Sequence, residues 1–262
     1  MPEPELPEHR SLADLAERAA RAAGALLVEH AALGAVGVES KSSATDMVSA
    51  ADRASEELLV DLLTTARPDD GLIGEEGTAR AGTTGLTWVC DPLDGTTNYL
   101  YGFPQWAVSV AVEDRAGPLA GCVYDPSRDE AFTAARARGA TLNGRPIRVS
   151  AAHELATSLI GTGFAYQASV RAAQGARMSA VLGAVRDIRR AGSAALDLAW
   201  VACGRLDGFF ESGIHHWDYA AGMLLVPEAG GVFAVGPGPL DGLLQVVASG
   251  PGIHGALRAL AG

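Results

Sequence analysis

The sequence predicts a layered protein in which an α+β half is followed by an α/β half. Three observations carry this. Two stretches with helical periodicity stand near the N-terminus. Short apolar segments separated by turn residues follow them. After about Ser150, strand-like and helix-like segments alternate. At 262 residues, 48% of them hydrophobic, the chain can build one large domain or two compact halves. The expected division is 1–150 and 151–262.

Residues 2–10 read as a loose leader rich in Pro and Glu, without the basic-then-apolar order of a signal peptide. Ser11, with Asp14 three residues on, reads as a capped helix start. Leu12, Leu15, Ala19, Ala22, Ala23, Leu26 and Leu27 then recur at helical spacing through His30. A Gly/Ser-rich loop spans Gly34 to Thr45. Ser49 and Asp52 mark a second helix start, Leu58, Leu59, Leu62 and Leu63 its buried face, and Pro68 and Gly71 its end. Strands are expected at Leu72-Ile73, Leu86 to Cys90, Trp106 to Glu113, Leu119 to Tyr124 and Glu130 to Ala134, with turn residues between them. Asn143-Gly144 predicts a hairpin before Ile147 to Val149. This half reads as two helices on an antiparallel sheet.

In the second half, strands are expected at Leu159-Ile160, Asp187 to Arg189, Phe209-Phe210, Val232 to Val235 and Leu244 to Ala248. Helices are expected at Arg177 to Val185, Ser193 to Cys203, Asp218 to Ala229 and His254 to Leu260. A functional site is expected where the halves meet.

Composition narrows the function. Lys and Arg number 20 against 31 Asp and Glu, a formal net charge of −11, which gives no electrostatic reason to bind nucleic acid. An acidic protein that handles phosphate needs a cation, and carboxylates recruit one. No apolar run approaches the ~18 residues of a membrane span. Cys90, Cys122 and Cys203 are odd in number and widely spaced. They suit the reduced thiols of a cytoplasmic protein better than a disulfide or zinc framework.

The most informative stretch is Trp88-Val89-Cys90-Asp91-Pro92-Leu93-Asp94-Gly95-Thr96-Thr97-Asn98. An apolar strand runs into an aspartate, and Pro92, which cannot donate to a ladder, is expected to stop it. Asp91, the Leu93 carbonyl and Asp94 are then free to converge. Gly95 permits close approach of a ligand, and the amides at Thr96 and Thr97 could open a helix and receive an anion. Carboxylates, a carbonyl and a hydroxyl are hard oxygen ligands that suit Mg²⁺ rather than zinc. Asp-Pro and Asp-Gly are also ordinary turn dipeptides, but the whole string fits a metal loop at every position.

This string resembles the signature of the inositol monophosphatase family of lithium-sensitive, Mg²⁺-dependent phosphatases. Gly74-Glu75-Glu76 fits the same family. So do Lys41 through Asp52, Trp217-Asp218-Tyr219-Ala220-Ala221-Gly222 and Glu228-Ala229-Gly230-Gly231. The likeness runs from Leu12 to Leu260. It implies an αβαβα sandwich of the inositol monophosphatase and fructose-1,6-bisphosphatase type. It implies a first Mg²⁺ on Glu75, Asp91 and the Leu93 carbonyl, and a second on Asp91, Asp94 and Asp218. Glu75 would also reach a third, weaker ion. Thr96, hydrogen-bonded to Asp52, would orient the attacking water with Glu75 assisting, and the Gly95 and Thr96 amides would hold the phosphate.

Phe210-Glu211-Ser212-Gly213-Ile214-His215 and Gly192-Ser193-Ala194 resemble the inositol branch, in which the glutamate matching Glu211 accepts from ring hydroxyls. Thr97 after Asp94-Gly95-Thr96 speaks mildly against the nucleotide and histidinol branches. The expected reaction is hydrolysis of inositol 1-phosphate to inositol and phosphate, by a homodimer. Fructose 1,6-bisphosphate, histidinol phosphate and NADP are the alternatives. Some bacterial relatives also bind RNA polymerase or transcript-processing factors, so a regulatory protein partner is a further alternative. Blander readings stand beside several residues: Asp52 and Asp218 as helix caps, Glu76 and Lys41 as solvated charges and Glu211 as a rim charge, and His215 and His216 as structural.

Overall fold

A computed structural model describes residues 6–33, 39–40, 47–48, 50–240 and 242–262. Lys41 and Ser49 lie outside the described residues. The first half runs α1 (Leu6–Ala32), β1 (Glu39–Ser40), β2 (Met47–Val48), α2 (Ala50–Ala66), β3 (Gly71–Gly74), β4 (Ala79–Arg80), β5 (Thr87–Asp94) and α3 (Thr96–Leu100). It continues through β6 (Ala107–Asp114), β7 (Gly117–Asp125), β8 (Glu130–Ala135), β9 (Ala140–Leu142) and β10 (Arg145–Pro146). The second runs β11 (Leu159–Thr162), α4 (Ala168–Ala184), β12 (Asp187–Arg189), α5 (Ala194–Ala202), β13 (Gly208–Ser212), α6 (His216–Tyr219), α7 (Gly222–Glu228), β14 (Val232–Pro237), β15 (Leu244–Ser249) and α8 (His254–Ala261).

The layers are αβαβα. Helices α1 and α2 cover one face of an eight-stranded sheet ordered β10-β9-β8-β7-β6-β5-β3-β4. Helices α5, α6 and α7 lie against its other face, and α5 and α7 also pack on a five-stranded sheet ordered β12-β11-β13-β15-β14. Helices α4 and α8 form the outer layer. Three apolar clusters fill the four interfaces, the middle one packing α5, α6 and α7 against both sheets. The middle layer is tight: a Cβ on Gly222 would sit 2.5 Å from Leu198 Cδ1, so α7 can approach α5 only through a glycine.

Several expectations are corrected. Helix α1 begins at Leu6, so residues 6–10 are helical and not a leader. The Ser11 hydroxyl bonds back to the Glu8 carbonyl at 2.8 Å, inside the helix and not at its cap. The eight-stranded sheet is not purely antiparallel, because β3 runs parallel to β5. Strand β5 does not stop at Pro92: it continues to Asp94 through a register irregularity between Asp91 and Asp94, which takes up the missing N–H. Asn143 and Gly144 both have positive φ and turn the expected hairpin, but its second strand is β10, before Ile147. Helix α4 starts at Ala168, well ahead of Arg177. It buries only Gln174, Met178 and Val181, a stripe too narrow to show as periodicity. The helix expected at Asp218 to Ala229 is two helices, α6 and α7.

Candidate active site

A cavity of about 360 Å³ opens between the end of β5, the head of α5, the β13–α6 connection and the segment after β11. The residues on its floor come from β5 and its extension. Asp91 is 1% exposed, and its Oδ1 accepts from the Leu93 amide at 2.9 Å. Leu93, also buried, turns its carbonyl to the Thr96 hydroxyl at 3.1 Å. Gly95 has φ +97°, and a Cβ there would meet the carbonyls of Gln105 at 2.9 Å and Gly192 at 3.2 Å. Only glycine fits this left-handed, close-packed position. Thr96 then opens α3, and its Oγ1 lies 3.0 Å from Asp52 Oδ1. Asp52 comes from the first turn of α2 and is fully buried.

Helix α5 points its N-terminus at Asp94. Ser193 caps the helix, accepting from the Leu196 amide. It also donates to Asp94 Oδ2 at 2.6 Å, and the Ala195 amide donates to the same oxygen at 2.7 Å. Burial pushes Asp94 up to about 6, against the pull of these donors and with a further push from Glu75. Asp218 stands at the third position of α6, and its Oδ2 accepts from the His215 amide at 2.6 Å.

Carboxylate oxygens of Asp91, Asp94 and Asp218 lie within 4.8 Å of one another. Burial, then Glu75, Asp94 and Asp218, hold Asp91 well above the usual carboxylate range. Burial, then Asp94 and Glu75, do the same to Asp218. Glu75, at the turn after β3, joins the group through a hydrogen bond with Asp91. Such a crowd of acids either holds protons or holds cations, and its hard oxygens fit Mg²⁺.

The opposite wall is different. Glu211, on β13, lies so close to Gly163 that a Cβ there would overlap its carboxylate. Burial pushes Glu211 up to about 7, with Arg190 pulling it down and Asp94 pushing it further. Gly192 and Ala194 line the cavity, whereas Ser193 lies beneath it with its hydroxyl on Asp94. The structure therefore brings Glu75, Asp91, Leu93, Asp94, Gly95, Thr96, Gly192, Ala194, Glu211 and Asp218 to one cavity. Asp52 and Ser193 stand behind it.

The contacts of three nearby residues are not legible in the sequence. Asn98 Nδ2 donates to the carbonyls of Gln105 at 2.6 Å and Ala191 at 2.8 Å, tying α3 to the segment after it and to the loop before α5. It belongs to the Trp88–Asn98 string, but its partner Ala191 is remote in sequence. Arg190 is a cationic rim residue beside Glu211. Tyr166, pushed up to about 12 chiefly by burial, hydrogen-bonds Thr97. His215 lines the cavity and stacks on Trp217 at 4.9 Å, and His216 pairs with Glu113 at 2.9 Å.

Among the described residues no helix is long and apolar enough to cross a membrane. The model of the inositol monophosphatase family matches residues 8–257. A protein named Nus factor SuhB from Xylella fastidiosa is 49% identical over 216 residues, 82% of this chain and 78% of its own. An inositol-1-monophosphatase from Mycobacterium leprae is 43% identical over 241 residues, 87% of this chain and 83% of its own. The solved structure of the extragenic suppressor protein suhB from Bartonella henselae superposes with a TM-score of 0.87 at 40% identity, over 94% of this chain and 97% of that one.

Proposed function

This chain belongs to the inositol monophosphatase family, and from that membership we propose that it hydrolyses a small phosphate monoester, inositol 1-phosphate first, in a Mg²⁺-dependent reaction. The observation that carries the reading is the group of Asp91, Asp94 and Asp218 within 4.8 Å, beside Thr96 and facing Glu211 across one cavity. Glu75, Asp91 and the Leu93 carbonyl would hold a first Mg²⁺, and Asp91, Asp94 and Asp218 a second, with Glu75 also reaching a third. Bound there, the metal supplies Lewis-acid charge that offsets the phosphate and eases loss of a proton from water.

The side chains do the rest. Thr96 has one proton and directs it to Asp52 at 3.0 Å or to the Leu93 carbonyl at 3.1 Å. Either way its lone pairs are left for a water facing phosphorus, so the hydroxyl orients the nucleophile. Glu75 assists from the metal side. The Gly95 and Thr96 amides, at the head of α3, donate to the phosphate oxygens. Glu211 accepts from the hydroxyls of the alcohol half, and the backbone of Gly192 and Ala194 shapes the same wall. Water adds to phosphorus as the bond to the ester oxygen breaks, the proton that the water gives up ends on the departing oxygen, and the products are the alcohol and inorganic phosphate. The likeness of Phe210 to His215 to the inositol branch supports the substrate assignment.

We place the two functional halves at 1–150 and 151–262, and assign a cytoplasmic homodimer, to be tested by light scattering. A second reading adds a protein partner, because relatives at 41–49% identity are named Nus factor SuhB. Phosphate release from inositol 1-phosphate with Mg²⁺, lost in EDTA, is the expected result. Release only from fructose 1,6-bisphosphate, histidinol phosphate or NADP would move the substrate. No release from any of them would leave the partner-binding reading.

A further inference from the structure

Helix α2 holds three parts of the site at once. Asp52, Ser55 and Glu56 stand at i, i+3 and i+4 on its inner face, and all three are buried. Asp52 takes the Thr96 hydroxyl. Ser55 Oγ donates to the Pro92 carbonyl at 2.9 Å, between Asp91 and Asp94. Glu56 reaches the turn that follows β3. Its Oε2 accepts from the Glu76 amide at 2.7 Å, and its Oε1 accepts from the Thr78 amide at 3.0 Å and the Thr78 hydroxyl at 2.6 Å. The turn is closed by the Gly74 amide donating to the Thr78 carbonyl at 2.8 Å. Glu75 is the residue carried between these anchors. Gly74 makes room for the carboxylate, since a Cβ there would overlap it.

The Glu56 carboxylate thus fills the inside of the Gly74–Thr78 turn and satisfies donors that the turn cannot satisfy itself. Three hydrogen bonds to one buried carboxylate set the turn's shape more tightly than neutral contacts would. We infer that Glu56 is the positioning residue for Glu75: from a different element, it fixes the backbone on which Glu75 is presented to Asp91 and the metal. This rests on Glu75 being a metal ligand, as proposed above.

Glu56→Gln keeps the shape but turns an N–H₂ toward the Glu76 or Thr78 donors. Gly74→Ala displaces the carboxylate from the other side. Each should be assayed with p-nitrophenyl phosphate, whose hydrolysis does not depend on the polyol assignment, and by Mg²⁺ calorimetry and melting. Glu56→Gln is expected to lower kcat about 10- to 100-fold with KM little changed, the size of effect that small misplacement of a catalytic group produces. Its Mg²⁺ binding should weaken in parallel. In a Glu75→Gln background the same substitution should add almost no further loss, because the residue it positions is already gone.

A full, multiplicative loss in the Glu75→Gln background overturns the inference. So does a lower melting temperature with kcat and Mg²⁺ affinity unchanged. If Glu56→Gln does not fold, Gly74→Ala and Thr78→Val decide by the same criteria. An active wild type with an unimpaired Glu56→Gln variant sinks the positioning role and leaves the phosphatase reading standing. A wild type that binds Mg²⁺ but releases no phosphate sinks the phosphatase reading, and calorimetry then decides the positioning role. A wild type that neither binds Mg²⁺ nor releases phosphate overturns both.

Discussion

Thr96 has one hydroxyl proton and two acceptors, Asp52 and the Leu93 carbonyl, and this places its lone pairs rather than its proton toward the cavity. Thr96→Ala should therefore lower kcat by about 10²-fold while leaving Mg²⁺ binding nearly intact; steady-state kinetics with calorimetry check both halves. An unchanged kcat with a raised KM would make Thr96 a binding residue instead. Glu211 is a second decision made at one residue. As an acceptor for polyol hydroxyls it must be ionised, and its value near 7 puts that change within the assay range. Asp94 is part of the push that raises it, so with Mg²⁺ on Asp94 the change falls lower, and the kcat/KM ratio of inositol 1-phosphate to p-nitrophenyl phosphate should rise with pH below about 7. Glu211→Gln should remove that rise and lower kcat/KM for the inositol ester alone by about 10- to 100-fold, the worth of a charged hydrogen bond. Equal losses on both esters would make Glu211 a general support of the site.

At the scale of the element, α5 is what keeps Asp94 ionisable. Asp94 would sit higher still without the Ser193 hydroxyl at 2.6 Å and the Ala195 amide at 2.7 Å. Ser193→Ala removes a helix cap and that donor together. The cap alone is worth about 1 kcal/mol, and at about 2–4 °C per kcal/mol for a chain of this size the melting point should fall by that amount. Mg²⁺ affinity should fall with it, because Asp94 is driven further toward its protonated form. A variant that melts lower with Mg²⁺ affinity unchanged would show that Ser193 serves only the helix. Strand β5 makes the matching contribution from the other sheet: the irregularity around Pro92 lets one strand deliver both Asp91 and Asp94 to the same cavity.

For the whole molecule the carboxylate group is a stability device as well as a site. Burial and its acidic neighbours raise Asp91 above its ordinary 3.8. A carboxyl raised in the fold stabilises while protonated, and that contribution disappears as pH climbs from 3.8 through the raised value. The metal-free protein should thus lose stability with rising pH over that interval through this group. The melting temperature of metal-free Asp91→Asn should gain on that of the metal-free wild type as pH rises from 4. Mg²⁺ at 100 times its dissociation constant should raise the wild-type melting point by roughly 5–10 °C and the variant's by much less. Scanning fluorimetry at several pH values measures each arm, and undiminished Mg²⁺ stabilisation of Asp91→Asn would remove Asp91 from the ligand set.

The order and type of most elements are legible in the sequence, because apolar spacing and turn residues are local: the β6 to β8 meander, β11, β13, β15 and α5 all lie where the pattern puts them. Also legible there is the nearness of Asp91, Asp94 and Thr96, which covalent distance holds together at the end of β5 and the start of α3. What the sequence could not determine was anything set by contacts remote in the chain. Helix α4 shows almost no apolar stripe because it needs little burial in the outer layer. The parallel pairing of β3 with β5, and the continuation of β5 past Pro92, depend on neighbouring strands and not on the residues' own preferences. Asp218 meets Asp91, and Glu56 meets the turn of Glu75, only when α6 and α2 dock on the same sheet. Glycines such as Gly95 and Gly222 look like ordinary turn or helix glycines until packing shows what a Cβ would strike. Local periodicity is written into consecutive residues, whereas the charge, burial and reach of a side chain belong to whatever the fold places beside it.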